Sequence, residues 1–410
     1  MKTTWKRNLI ILSFAQLLTM MGFSAYHPSI PFYIQQLGGF GYEEAAAWNA
    51  MFQGGSAIAM AIASPIWGTV SDRYGRKLML VRATGAGAIL ALVMAFVQTP
   101  GQLVAVRIVQ GALCGTVSAA MVLVSTQTPD EHLGTALGVM QTVQFLGNAI
   151  GPLVGGLVAD SLGYRSVFPV SSVMMAISFL SVAFLVKEKF VRPARVASKE
   201  RRFAGIGVLW HGNIPSLLFT LWTMSFALSV VGTILSLYIK SLSPDEPYIA
   251  TLAGSVLSVS ALASALAAFG VGRLGDKYGQ KRTLMICGLG AAIMYVPQAF
   301  VTTPIQLLWI KAIEGLFVGG MMPTANALLA HSTPSARRGT VFGFSNSVTA
   351  SGRAIGPILG AAVASSLGMS RVFLVTAGVY LISVLAVALL VRPKTAELLT
   401  EGTGAPAASS

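Results

Sequence analysis

The stretch GTVSDRYGRK, Gly68–Lys77, sets four charged side chains, Asp72, Arg73, Arg76 and Lys77, into six residues between two long apolar runs. A second stretch, GRLGDKYGQK, Gly272–Lys281, nearly repeats it, with Asp276 lying 204 residues after Asp72. The rest of the chain is greasy: of 410 residues 54% are hydrophobic and only 10% charged. Soluble domains carry about 25% charged residues, so this composition predicts an integral membrane protein. A spanning helix needs about 20 mostly apolar residues. Twelve runs of that size recur, near 8–34, 44–70, 79–98, 102–126, 135–161, 167–187, 214–240, 248–272, 283–301, 305–330, 340–366 and 371–391. The first follows Met-Lys-Thr-Thr-Trp-Lys-Arg, but it is too long for a signal peptide and lacks a small-x-small cleavage site.

The net charge of +14 gains meaning from its distribution. With the amino terminus inside, the termini and the loops on that side hold 22 of the 28 Lys and Arg. The opposite loops hold Arg165, Lys240 and Arg371, and Arg107, Lys311 and Arg353 fall inside spans. The positive-inside rule places both ends in the cytoplasm. A nucleic-acid binder needs a basic face with interleaved polar groups; here the longest basic stretch, Lys187–Arg202, is a short connection between spans. Cys114 and Cys287 lie in separate spans, which argues against a disulfide framework. Neither a metal-ligand cluster, a nucleophile elbow nor a phosphate loop is present, so the sequence predicts no enzyme, metal or cofactor.

Half the chain copies the other half. Arg107 and Lys311 open RIVQG and KAIEG at the same offset of 204, and beyond one inserted residue the offset is 205. That second offset relates GNAIGPLVG (147–155) to GRAIGPILG (352–360), and LGYRSVF (162–168) to LGMSRVF (367–373). An even number of spans per half gives both copies the same orientation, the arrangement of paired transporter halves that meet at a midplane site. The expected units are a first half at 1–187, a basic linker at 188–208, a second half at 209–391 and a cytoplasmic tail at 392–410. The linker is read as an anchor for anionic headgroups on the cytoplasmic leaflet.

Gly68-Thr-Val-Ser-Asp72-Arg73-Tyr-Gly75-Arg76-Lys77 resembles the loop 2–3 signature of the major facilitator superfamily. Leu103-x3-Arg107-x2-Gln110-Gly111 looks like its span 4 signature. Gly138, Gly147, Gly151, Pro152, Gly155 and Gly156 are similar to the span 5 pattern of twelve-helix drug/proton antiporters, repeated in span 11 by Gly352, Gly356 and Pro357. The resemblance implies an all-α bundle of two six-helix halves in a bacterial inner membrane, acting as a monomer without a cofactor and driven by the proton gradient. It also implies that Gly68, Asp72, Arg73, Gly75 and Arg76 bridge the halves at the cytoplasmic face, more weakly echoed by Asp276, Lys277 and Gly279. A plain solvated turn is the alternative for those residues. For the glycine faces, tight helix packing stands beside an antiport role.

An ionisable group inside a bilayer costs on the order of 3 kcal/mol if unpaired, which singles out Arg107, Lys311, Glu314 and Arg353. Glu314 lies about ten residues into span 10, roughly 15 Å deep, and is the only deep carboxylate. Two readings stand: a group that carries a proton across, or a permanent structural pair with Lys311 or Arg353. The resemblance gives Arg107 a part in proton transfer, with Gln110 as hydrogen-bond partner. Spans 1 to 6 carry no Asp or Glu away from their ends, which leaves no coupling carboxylate in the first half. Asp160 is read as an interfacial cap, and His27 as a packing or gate residue.

The resemblance assigns the cavity lining mainly to spans 1, 4, 7 and 10. These offer Phe23, Tyr26, Met121, Phe219, Trp222, Phe226, Phe317, Met321 and Asn326, with Gln141, Gln144, Phe145 and Asn148 on span 5. Methionine and aromatic side chains make a deformable surface for varied hydrophobic ligands, although such residues also fill helix interfaces. The reading that results is a secondary transporter exporting hydrophobic small molecules. Its rivals are a carrier of a small metabolite or sugar and a non-transporting receptor or scaffold.

Overall fold

The computed structural model describes residues 2–129, 132–188, 209–210, 212–333 and 338–391. All but the first residue of the expected 188–208 linker, and the expected 392–410 tail, lie outside the described residues. Within the described residues the chain forms fourteen α-helices and no strand. The first half holds α1 (Lys2–Ala25), α2 (Ile30–Gly38), α3 (Tyr42–Tyr74), α4 (Arg76–Met94), α5 (Pro100–Leu113), α6 (Thr116–Gln127), α7 (Leu133–Leu162) and α8 (Val167–Leu180). The second holds α9 (Ile214–Leu242), α10 (Ile249–Tyr278), α11 (Gln280–Gln298), α12 (Pro304–His331), α13 (Arg338–Leu367) and α14 (Met369–Leu390).

Fourteen helices serve twelve spans because two spans are broken. The first splits into α1 and α2 around His27-Pro28, where a hydrogen-bonded turn carries the chain on, Ile30 N donating to the Tyr26 carbonyl at 3.0 Å. Pro28 lacks an amide to continue the ladder. The fourth splits into α5 and α6 at Cys114-Gly115, both extended or irregular in backbone. Eight of the described helices are long and apolar enough to cross a membrane alone. The two halves of span 4 are too short alone, and α3, α11 and α13 also fall outside those eight.

Local chemistry fixes the ends. Thr99 and Thr303 cap α5 and α12, each accepting from the amide three residues on, with proline at the first helical position. The tight turns that join α3 to α4 and α10 to α11 pivot on Gly75 (φ 97°) and Gly279 (φ 91°), a backbone that other residues rarely adopt. Glu188, at the end of span 6, accepts from the amides of Arg76 and Lys77 at 3.1 and 2.9 Å, satisfying the open N-terminus of α4. The end of the bundle that carries these turns is called the turn end below, and the other the far end.

The outer surface is apolar: Ile10, Ile62, Ile89, Phe96 and Leu389 are all more than 60% exposed. A water-facing surface does not carry such a belt. Within each half, small residues let helices touch backbone to backbone. Gly111 of α5 abuts the Ser56 carbonyl of α3, and its counterpart Gly315 of α12 abuts that of Ser260 in α10. Gly147, Gly151 and Gly155 seat α7 on α1, as Gly352, Gly356 and Gly360 seat α13 on α9. α7 runs unbroken through Pro152, whose carbonyl packs against Gly254 of α10.

Between the halves there are two long seams, α7 against α10 and α3 against α13. Both close toward the far end: Gly156 meets Ala250 and Thr251, and Gly54 meets the Ala354 carbonyl. Polar ties reinforce the closure. Asp160 accepts from the amides of Ala250 and Thr251 at 3.2 and 2.6 Å, Lys240 donates to Gln35 at 2.8 Å, and Asn49 donates to the Thr233 carbonyl at 2.7 Å. Eighteen residues make five turns, so Gly138 lies on the same face of α7 as Gly156; yet nothing comes within 4 Å of where its Cβ would be. Gly343, three turns from Ala354 on α13, is equally open. The halves touch at the far end and part toward the turn end.

Candidate functional site

The walls of that opening can be read from α7 and α13. On α7 the exposed apolar side chains Val139, Leu146, Ile150, Leu153 and Leu157 share one side, while the exposed Gln141 and Asn148 lie on the opposite side. On α13 the exposed Phe344, Ile355 and Ile358 oppose the exposed Asn346 and Arg353 in the same way. Lipid can face only the apolar stripe. The polar stripes therefore line a wet cleft between the halves, where Gln141 corresponds to Asn346 and Asn148 to Arg353 at the 205-residue offset.

Arg353 is accessible although the mass of the protein surrounds it, as expected of a cleft wall. Among the described residues it makes no ion pair. Asn148 donates to the Gln144 carbonyl at 2.9 Å, and the buried Gln144 amide nitrogen has no partner. On α9, which packs against Gly352, Phe219, Trp222 and Phe226 form a stacked ladder with ring centroids 6.3 and 5.0 Å apart and planes within 17°. Phe219 is exposed, Trp222 half-buried and Phe226 buried. Phe145, Met121, Phe317 and Asn326 are half-buried.

Other expected lining residues sit elsewhere. Tyr26 and Met321 are buried within their own halves, and Phe23 is half-buried near Gly87 of α4. Lys311 and Glu314 are also enclosed, 5% and 1% exposed, with Lys311 Nζ donating to Glu314 Oε2 at 2.6 Å. Lys311 Nζ lies 4.8 Å from the centre of the Tyr295 ring, which stacks on Tyr380 at 5.4 Å. Both tyrosine hydroxyls are within electrostatic reach of the Glu314 carboxylate but make no hydrogen bond of good geometry. Glu314 thus faces α11 and α14, and no ion pair joins it to Arg353.

The same positions in the first half hold a charge-poor version. Arg107 Nη1 donates to Gln110 Oε1 and to the Tyr26 hydroxyl, both at 2.6 Å, and its guanidinium faces the Phe52 ring at 5.1 Å. Gln110, 204 residues before Glu314, passes its amide hydrogen to the Gly87 carbonyl at 3.3 Å. Arg82, six residues into α4, lies over the Trp67 ring at 3.3 Å. The turn-end signature is seen only in part: Gly75 makes the turn, and the side chains of Asp72, Arg73 and Asp276 and the surroundings of Gly68 lie outside the described residues. Lys277 and Gly279 are exposed.

Sequence reasoning missed Tyr295 and Tyr380, which come from helices far along the chain and have apolar counterparts in the first half, Ala91 and Met175. It read Asp160 as a cap, but not that the amides it caps belong to the other half. The repeat register was the available signal for pairing Gln110 with Glu314 and Asn148 with Arg353. Among the described residues no three His, Cys, Asp or Glu side chains gather to hold a metal.

Comparison with known proteins agrees with this architecture. The chain is 33% identical over 397 residues to the multidrug resistance protein MdtG of Klebsiella pneumoniae, covering 96% of this chain and 95% of that one. It is 34% identical over 377 residues to MdtG of Salmonella typhimurium, covering 92% and 93%. Its fold matches a crystal structure of a mutant of the nucleoside transporter NupG with a TM-score of 0.77, at 16% identity, over 95% of this chain and 100% of that one. A bacterial homologue of the lysosomal transporter Spinster matches at 0.75 and 14% identity, over 95% and 98%. The family model of the Major Facilitator Superfamily covers residues 12–252 and 217–409, and with relatives this similar over nearly its whole length the chain belongs to that superfamily of membrane transporters.

Proposed function

We propose that the protein exports hydrophobic small molecules across a bacterial inner membrane in exchange for protons, with the turn end and both termini in the cytoplasm. The observation that carries this reading is the cleft: the same faces of α7 and α13 that touch the partner half at the far end stand open at the turn end. Such a shape is one of the two states of alternating access, here open to the cytoplasm, and rocking residues 1–187 against 209–391 would give the other. The relatives named as multidrug resistance proteins and the aromatic ladder on α9 support a hydrophobic cargo.

Glu314 is assigned the proton, because no other carboxylate lies deep in a span. With Glu314 ionised the Lys311 pair is complete. A proton arriving at Glu314 cancels its charge and leaves the Lys311 ammonium, beside the Tyr295 ring, without a counter-charge. Breaking a buried pair costs about 3–5 kcal/mol, comparable with the roughly 2.3 kcal/mol per 100 mV that a charge gains in the membrane field. A proton gradient is therefore of the right size to switch the pair. The test is proton release on addition of lipophilic compounds to acidified inverted vesicles. Glu314→Gln should abolish coupled release at least tenfold while inserting normally. Coupling that survives Glu314→Gln would make the pair structural, and a wild type that moves no lipophilic compound would favour a metabolite carrier.

A further inference from the structure

Building on the assignment of the proton to Glu314 above, we infer that Tyr295 and Tyr380 are positioning residues of that proton site. The Tyr295 hydroxyl takes up the hydrogen bond of the protonated Glu314 carboxyl, and the Tyr380 hydroxyl bonds Tyr295 behind it. Both side chains are fully buried, on α11 and α14, and their rings stack with centroids 5.4 Å apart and planes 18° apart. The Lys311 ammonium ties them to the carboxylate, lying 2.6 Å from Glu314 Oε2 and 4.8 Å from the centre of the Tyr295 ring. While Lys311 holds Glu314, neither tyrosine hydroxyl has a hydrogen-bond partner among the described residues. Packing alone does not ask for them, because phenylalanine fills nearly the same space without burying an unpaired O–H.

The repeat supplies an internal comparison. Where the second half has Glu314, Tyr295 and Tyr380, the first has Gln110, Ala91 and Met175. Gln110 has one charge state, and its bonds with Arg107 and the Gly87 carbonyl serve it permanently. Glu314 alternates: ionised it only accepts hydrogen bonds, and protonated it must also donate one. Lysine only donates, so Lys311 cannot take the acid's hydrogen, whereas a phenol oxygen can. Other titratable groups on the helices packed against α12 are engaged or remote. On α9, Tyr238 is committed to the Gln298 carbonyl at 3.0 Å and Lys240 to Gln35 at 2.8 Å. On α10, Ser260 abuts Gly315, and Arg273, Asp276, Lys277 and Tyr278 begin more than three turns beyond it. On α11, Cys287 lies two turns before Tyr295, and Lys281 and Arg282 stand at the turn end.

The experiment is infrared difference spectroscopy of the purified full-length protein in lipid bilayers as the pH is lowered, with coupled proton release measured on the same variants. The carbonyl stretch of protonated Glu314 is identified by its loss in Glu314→Gln. Tyr295→Phe should shift that stretch and reduce coupled release about tenfold, the effect of leaving one buried polar group unsatisfied. Tyr380→Phe should act on both readouts in the same direction but less. Tyr295→Leu, which also takes the ring from Lys311, should reduce release further than Tyr295→Phe. An unshifted stretch or unchanged release in Tyr295→Phe overturns the positioning role, and an unshifted stretch in Tyr380→Phe removes Tyr380 from it. If Tyr295→Phe does not insert, Tyr380→Phe decides by the same two readouts. A Glu314 stretch that neither phenylalanine moves overturns the tyrosine assignment alone; a carboxyl stretch and coupled release that both survive Glu314→Gln overturn the proton assignment on which it rests.

Discussion

The pair Lys311–Glu314 and its counterpart Arg107–Gln110 occupy one register of the repeat; the cation changes from lysine to arginine, and its partner from a carboxylate to an amide. An amide cannot take up a proton at these pH values, so only the second half has a titrating member. Removing one partner of a buried pair leaves a bare charge, whereas replacing both by apolar groups does not. Lys311→Met should therefore destabilise the protein by about 3–5 kcal/mol, and Lys311→Met combined with Glu314→Leu should recover most of that loss. Thermal unfolding in detergent checks both. The double variant should still lack proton coupling, which separates the chemical role of the pair from its structural one.

At the level of the helix, α7 shows how far local pattern reaches. Gly138 and Gly156 are five turns apart on one face, and nothing in the local sequence distinguishes them. Gly156 touches the backbone of α10, while Gly138 borders open space. Gly156→Val should overpack the seam and cost about 1–3 kcal/mol, visible as a lower unfolding temperature. Gly138→Val should stay within about 0.5 kcal/mol of the wild type. Equal effects of the two substitutions would mean that the halves close at both ends at once in the resting protein. Helix boundaries were more legible: the Thr-Pro caps at 99 and 303 and the glycine turns at 75 and 279 follow from residues within four positions. The breaks within spans 1 and 4 were not foreseen, because an apolar run stays apolar across a turn.

Across the whole molecule, the far-end closure rests on few polar contacts, and Asp160 supplies two of them by capping the first turn of α10 from the other half. Losing a helix cap costs about 1 kcal/mol, or roughly a fivefold change in a two-state balance. Asp160→Ala should raise the population open at the far end by about that factor. Labelling of Ala250→Cys, in a background with Cys114→Ser and Cys287→Ser, by an impermeant maleimide would report it, since Ala250 is fully buried and meets Gly156 at the closed seam. An unchanged labelling rate would mean that the glycine contacts alone hold the seam. The sequence by itself determined that the chain lies in a membrane, that it consists of two copies of one six-span plan, and that its charged residues inside spans are few. Those facts rest on composition, run length and repeat offset, which neighbouring residues express locally. The tertiary structure decided that Glu314 is enclosed with Tyr295 and Tyr380, that Arg353 stands in the cleft, and that the described residues of the two halves meet toward the far end. A stripe that packs on another helix and a stripe that faces lipid are both apolar, so which face meets which partner is settled only when all the helices assemble.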